Sequence, residues 1–157
     1  MTNLKNYTSS VPVETTIMRI EQYLIATGLV TGIGKEYKGK MVLSLVFQIN
    51  YEKDKLPMTV KLSANVEQCL EFFWNDYLKG LVNRTRKTKE DFREQASRTA
   101  WKLQEDWIRV ETSLILLHQR TVMQSFMSYV WDGERTFYQR IKDSGFKQLG
   151  PAKPSEF

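Results

Sequence analysis

The sequence predicts an α+β fold: an N-terminal helix, a small three-stranded antiparallel sheet, then two or three C-terminal helices, one of them long and amphipathic. Three observations carry this. Apolar residues recur at helical spacing from Val13 to Leu24, alternate at strand spacing from Met41 to Ile49, and return to helical spacing from Val66 onward. With 157 residues, 41% of them hydrophobic and 12% aromatic, the chain suits one globular domain that buries its own core. Residues 1–10 and 147–157 are polar or proline-bearing and are expected as flexible tails of that single 1–157 domain.

Pro12 is placed to open the first helix, whose apolar residues Val13, Ile17, Ile20 and Leu24 share one face, and Gly28 to close it in a left-handed cap. Two strands follow, Leu29 to Tyr37 and Met41 to Asn50, joined by a tight hairpin at Lys38-Gly39. In the second, Met41, Leu43, Leu45, Phe47 and Ile49 alternate onto one face while Val42 and Val46 lie on the other, as in a central strand. Met58 to Leu62 reads as a third strand, with Pro57 suited to an edge. Asn65 with Gln68 then resembles a capping box for a helix with the stripe Val66, Cys69/Leu70, Phe73 and Tyr77, ended by Gly80.

From Thr88 to Trp131 the pattern reads as one long helix, with Thr88 and Asp91 as its cap signal. Ala96, Ala100, Leu103, Trp107, Val110, Leu114, Leu117 and Thr121 form a seam of heptad type. Trp101, Ile108, Ile115 and Val122 lie to one side, so the apolar face is wide enough to meet the sheet on one flank and a partner helix or second subunit on the other. Asp132-Gly133 ends the helix, and Glu134 to Lys142 suits a short further one.

The net charge is +5, and its placement is more informative than its size. Between Lys79 and Lys102 lie eight cations and three anions, so this segment accounts for all of it. Such concentration is what phosphate contact demands, because each neutralised phosphate releases condensed counterions. Arg84, Arg86, Lys87, Lys89, Arg93, Arg98 and Lys102 are therefore the candidate nucleic-acid or phosphate-binding residues. Trp101, near Arg98 and Lys102, is a candidate for stacking on bases, although packing against the sheet accounts for it better.

Catalytic chemistry finds no support in the residues. Gly28 to Glu36 invites a phosphate-loop reading and fails it, because Leu29 and Glu36 occupy the positions where glycine and a hydroxyl residue are needed. One histidine and one cysteine, His118 and Cys69, offer no metal-ligand pair, and no metal or other cofactor is expected. Glu111 and His118 intrude on the apolar face of the long helix, but seven residues of helix hold them about 10.5 Å apart. They read instead as interface residues with Trp107 and Leu114, fixing the register of an oligomer or domain contact. A single cysteine implies a reducing compartment, and neither a signal core nor an apolar run of membrane-spanning length is present, so a cytoplasmic protein without a membrane partner is expected.

Asn6-Tyr7-Thr8-Ser9-Ser10-Val11-Pro12, Leu62-Ser63-Ala64-Asn65-Val66, Arg98-Thr99-Ala100-Trp101-Lys102, Asp106-Trp107-Ile108 and Asp132-Gly133-Glu134-Arg135-Thr136 carry a resemblance. The chain resembles, from Asn6 to about Ile141, a family of short, mostly uncharacterised proteins from phages, prophages and other mobile elements. It departs from that pattern at Ser63, where the family tends to have proline, and at His118, where small residues are usual. The resemblance implies a mobile-element origin and supplies no site residues. Together with the charge pattern it leads to an expected function: a non-enzymatic nucleic-acid-binding accessory protein of phage or mobile-element DNA metabolism, oligomerising through its long helix. The alternative is a counter-defence or regulatory protein that binds a host protein or a nucleotide signal in a deep basic pocket.

Overall fold

The computed structural model describes residues 3–80 and 86–151. Its elements run α1 (Val13–Ala26), β1 (Val30–Lys38), β2 (Met41–Ile49), β3 (Met58–Ser63), α2 (Val66–Lys79), α3 (Arg93–Leu116), α4 (Val122–Phe126) and α5 (Phe137–Asp143). Short 3-10 turns precede α3 at Lys89–Phe92 and follow α4 at Met127–Tyr129. The order and mixture are those of an α+β fold with an N-terminal helix, an antiparallel sheet and C-terminal helices.

The sheet is a meander in the order β1-β2-β3, so β2 is central. Gly39, at φ +64°, makes the turn between β1 and β2. Leu45, Phe47 and Ile49 of β2 and Val60 and Leu62 of β3 are fully buried, and they join Ile17, Ile20 and Leu24 of α1 and Leu70 of α2 in one core. Alternation fails at Leu43, which is 40% exposed. Glu36 of β1 faces Ser44 while its neighbour Tyr37 faces Val42, so Leu43 is an extra residue that bulges out of the pairing. β3, preceded by Pro57, is an outer strand, and the chain after α4 covers part of its open edge: Val130 bridges Val60, and the Trp131 amide donates to the Thr59 carbonyl at 2.8 Å.

Both α1 and α2 pack on α3. The core-facing side of α3 is the flank expected to meet the sheet: Trp101 and Ile108 are fully buried, Ile115 nearly so, with Ala96 and Ala100 beside them. The Trp101 indole N–H reaches the Val42 carbonyl at 3.3 Å, which pairs its one polar atom inside the core. The heptad seam is only half used. Leu103, Trp107 and Leu114 are partly buried, while Val110 and Leu117 are 57% and 67% exposed.

The long helix expected from Thr88 to Trp131 is divided. α3 stops at Leu116, and His118 adopts φ +57°, a left-handed conformation costing a β-carbon-bearing residue roughly 1–2 kcal/mol. The amides of Gln119 and Arg120 both fold back onto the Leu114 carbonyl at 3.0 and 3.3 Å. Thr121 then caps α4 by accepting from the Gln124 amide. The reversal is held by what it buries. Val122 and Phe126 enter the core, Phe126 meets Phe47 and Trp107 edge-on, and Arg120 returns to Glu111.

The polar N-terminal stretch, expected as a tail, is tied to α3. Lys5 and Asn6 bond the Asp106 carboxylate at 2.6 and 2.9 Å, the Thr99 hydroxyl donates to the Asn6 carbonyl, and Gln95 and Arg98 donate to the Ser9 carbonyl. Burial works against the Asp106 charge, but the bonds from Lys5 and Asn6 outweigh it and hold that carboxyl below its usual range. No helix among the described residues is long and apolar enough to cross a membrane.

Candidate anion-binding surface

The basic segment divides into two parts with opposite electrostatic fates. From Lys89 to Lys102 every candidate cation is engaged by an acid of the same chain. Lys89 pairs with Glu71, and Arg93 with both Glu67 and Glu90, its Nε lying 2.7 Å from the Glu90 carboxylate. Arg98 pairs with Glu94 at 2.7 Å and bonds Gln95 besides the Ser9 carbonyl. Lys102 pairs with the buried Glu105 and lies 3.5 Å from Asp106. Arg93 holds the carboxyls of Glu67 and Glu90 below their ordinary values through these hydrogen bonds. These four cations, expected to grip phosphate, are thus neutralised. The pairing has a local cause. Glu67 and Glu71 are four apart on α2, Lys89 and Arg93 four apart on the chain running antiparallel beside it, and the spacing matches acid to base.

The cavity that Arg93 and Arg98 help to line, about 670 Å³ between the start of α1, the β1–β2 hairpin and α3, carries the same balance. Lys40, Arg93 and Arg98 are met there by Glu14, Glu90 and Glu94.

The other part keeps its charge. Lys79, in the last turn of α2, and Arg86 and Lys87, before α3, are exposed and make no ion pair among the described residues. Arg84 lies outside the described residues. The Lys87 backbone is fixed by its amide donating to the Tyr77 hydroxyl at 2.9 Å, and its ammonium sits 5.5 Å from the centre of the Phe92 ring. Behind it stands an aromatic cluster: Trp74 stacks on Tyr77 with ring centres 5.6 Å apart, and Phe92 closes on both. Tyr77 is buried, whereas Trp74, in contact with Phe92, stays partly exposed. Cation and open aromatic surface therefore meet at the α2–α3 connection. Trp101, near the neutralised part, has no surface to offer because it is fully buried.

The four expected interface residues separate likewise. Trp107 packs on Phe126 and Tyr129 of its own chain. Glu111 is buried against Arg120, whose Nη1 lies 2.8 and 3.0 Å from its two oxygens, and accepts from the Ser125 hydroxyl at 2.7 Å. Leu114 is partly buried, and His118, expected within the helix, sits exposed in the reversal after it. Glu111 and His118 are thus not a pair on one apolar face. Cys69 is buried on α2, and burial pushes its thiol up to about 11, which keeps it protonated and unreactive at neutral pH.

Sequence reasoning missed Trp74, Tyr77 and Phe92 as one surface, and Arg120 altogether. The 74/77 spacing on a helix was visible; the partner Phe92, across an intervening loop, was not. No protein-family model, curated protein or solved structure matches this chain.

Proposed function

We propose that the protein is a nucleic-acid-binding accessory protein of phage or mobile-element DNA metabolism, and that it holds a single strand at the α2–α3 connection. The reading is carried by one observation: Lys79, Arg86 and Lys87 are exposed and make no ion pair among the described residues, and Lys87 lies over Phe92, which packs on the partly exposed Trp74. Phosphates pair with the cations while a base stacks on the indole, the combination that serves strands without regard to sequence. Lys89, Arg93, Arg98 and Lys102 support the scaffold in this reading and leave the ligand alone. Self-association belongs to the same reading, along the open seam at Val110, Leu114 and Leu117.

The test is the affinity of a fluorescent oligonucleotide measured over a range of salt. Charge reversal at Lys79, Arg86 and Lys87 is expected to remove about two units from the slope of log affinity against log salt, at about 0.7 per phosphate contact on a single strand. Alanines at Lys89, Arg93 and Arg98 should leave that slope in place. Binding that is absent at low salt, or that follows the second set and not the first, defeats the reading. Native mass measured at low and high salt separates self-association from charge: a mass above one chain, unchanged by salt and reduced by Leu117→Glu, is expected.

A further inference from the structure

The reversal after α3 encloses a second polar feature, at the end of that helix remote from the α2–α3 connection by about 36 Å of helix. Here lies a cavity of about 520 Å³, a size suited to a small molecule. Leu29, Ile115 and Val122 give it an apolar wall, and Tyr51, His118 and Arg120 give it polar groups; no carboxylate lines it.

Arg120 is the informative member. One of its terminal nitrogens, Nη1, is held by both oxygens of the buried Glu111, which the Ser125 hydroxyl also bonds. The carboxylate anchors this end of the guanidinium. Nε and Nη2 make no hydrogen bond among the described residues, so one edge of an anchored fork remains unused, and the side chain is 46% exposed. A guanidinium anchored at one nitrogen by a buried acid, with a spare pair of parallel donors, matches the two oxygens of a carboxylate or phosphate. His118, whose left-handed backbone turns the chain at the end of α3, lines the same space and is exposed.

We propose that this cavity binds a small oxyanion, a carboxylate or phosphate monoester carried on an apolar body, through the unused guanidinium edge of Arg120. The imidazole of His118 and the hydroxyl of Tyr51 supply further polar contacts, and Leu29, Ile115 and Val122 receive the apolar body. The site is separate from the nucleic-acid surface and does not depend on it.

Benzoate and phenyl phosphate at millimolar concentration are suitable probes, read by NMR at the His118 ring and the Arg120 Nε–H. Saturable shifts at both residues are expected. Response to phenyl phosphate alone assigns a phosphate ligand, and response to benzoate alone a carboxylate. Arg120→Lys keeps a cation against Glu111 but removes the spare edge, and should weaken binding about tenfold, the worth of one charge-assisted hydrogen bond. Oligonucleotide affinity should not change. His118→Gly relieves the left-handed conformation while deleting the ring, so it tests the site without endangering the fold, and some loss of affinity is expected. Silence from both probes overturns the proposal, as does undiminished binding in the Arg120→Lys protein or, should that protein fail to fold, in His118→Gly.

Discussion

Two stretches of one basic segment, Lys89 to Lys102 and Lys79 to Lys87, carry four cations each, but only the first carries acids of its own, Glu90, Asp91 and Glu94, and their described residues differ in surroundings. The first lies along α2 and the first turns of α3, where Glu67, Glu71, Glu90, Glu94 and Glu105 stand within reach of its cations. In the second, Lys79, Arg86 and Lys87 meet no acid among the described residues. Each has its tryptophan, and these differ in the same sense: Trp101 is fully buried and Trp74 partly open. A local charge count sums cations without asking what faces them. The field that an anionic partner feels depends on the remainder, which here is smaller and displaced toward the α2–α3 connection.

The two tryptophans sharpen this contrast most strongly. Trp101→Ala should cost about 3–5 kcal/mol of stability, read as a lowered urea midpoint, because it empties a fully buried site. Trp74→Ala should leave most of that stability and instead remove about 1–3 kcal/mol of oligonucleotide affinity, the worth of one stacked base. Equal stability losses for both, with affinity untouched, would mean that the two tryptophans play the same structural part.

A smaller effect is expected at Arg98, whose side chain is 23% exposed and ties the N-terminal stretch to α3 through the Ser9 carbonyl. Arg98→Ala should cost about 1 kcal/mol and hasten proteolysis before Pro12, with the oligonucleotide affinity kept. Loss of affinity in this variant would return the neutralised stretch to the binding surface.

The smallest effect lies in the acid range. Glu67 and Glu90 titrate below the ordinary 4.5 because each accepts hydrogen bonds from Arg93. A lowered folded-state pKa means stabilisation that is present above the unfolded value and is lost as pH falls through the folded one, so these pairs weaken below about pH 4.5. Carboxyl carbon shifts followed by NMR should show both midpoints below 4.5, and Arg93→Ala should bring them back toward it. Midpoints unchanged by that substitution would mean the ion pairs are absent in solution, and with them the neutralisation of this stretch.

Much of the fold was legible because it rests on local pattern. The stripe Ile17, Ile20 and Leu24 is the buried face of α1, and Val66, Cys69, Leu70, Phe73 and Tyr77 that of α2. Lys38-Gly39 makes the hairpin, and Asn65 accepts from the Gln68 amide at the head of α2. The division of the long helix was not legible. Leu117-His118-Gln119-Arg120 contains neither glycine nor proline, the heptad spacing runs on through Thr121, and the contacts that reward the reversal join residues far apart in the chain, Phe126 with Phe47 and Trp107 and Arg120 and Ser125 with Glu111. The candidate site was legible in part: Arg86 and Lys87, expected to meet phosphate, are exposed, and Glu90 and Glu94 were counted among the acids near Arg93 and Arg98, whereas Glu67, Glu71 and Glu105 come from α2 or lie beyond the counted segment.

By itself the sequence determined the α+β class, the order of the elements as far as α3, the central place of β2 and the buried faces of α1 and α2, because hydrophobic periodicity and turn chemistry act over a few residues. Only the tertiary structure decided where α3 ends, which cations remain unpaired and that Arg120 stands anchored beside a cavity. Those outcomes hinge on charges and apolar groups brought together from distant positions, and the sign of a surface, like the end of a helix, follows from what the fold places opposite it.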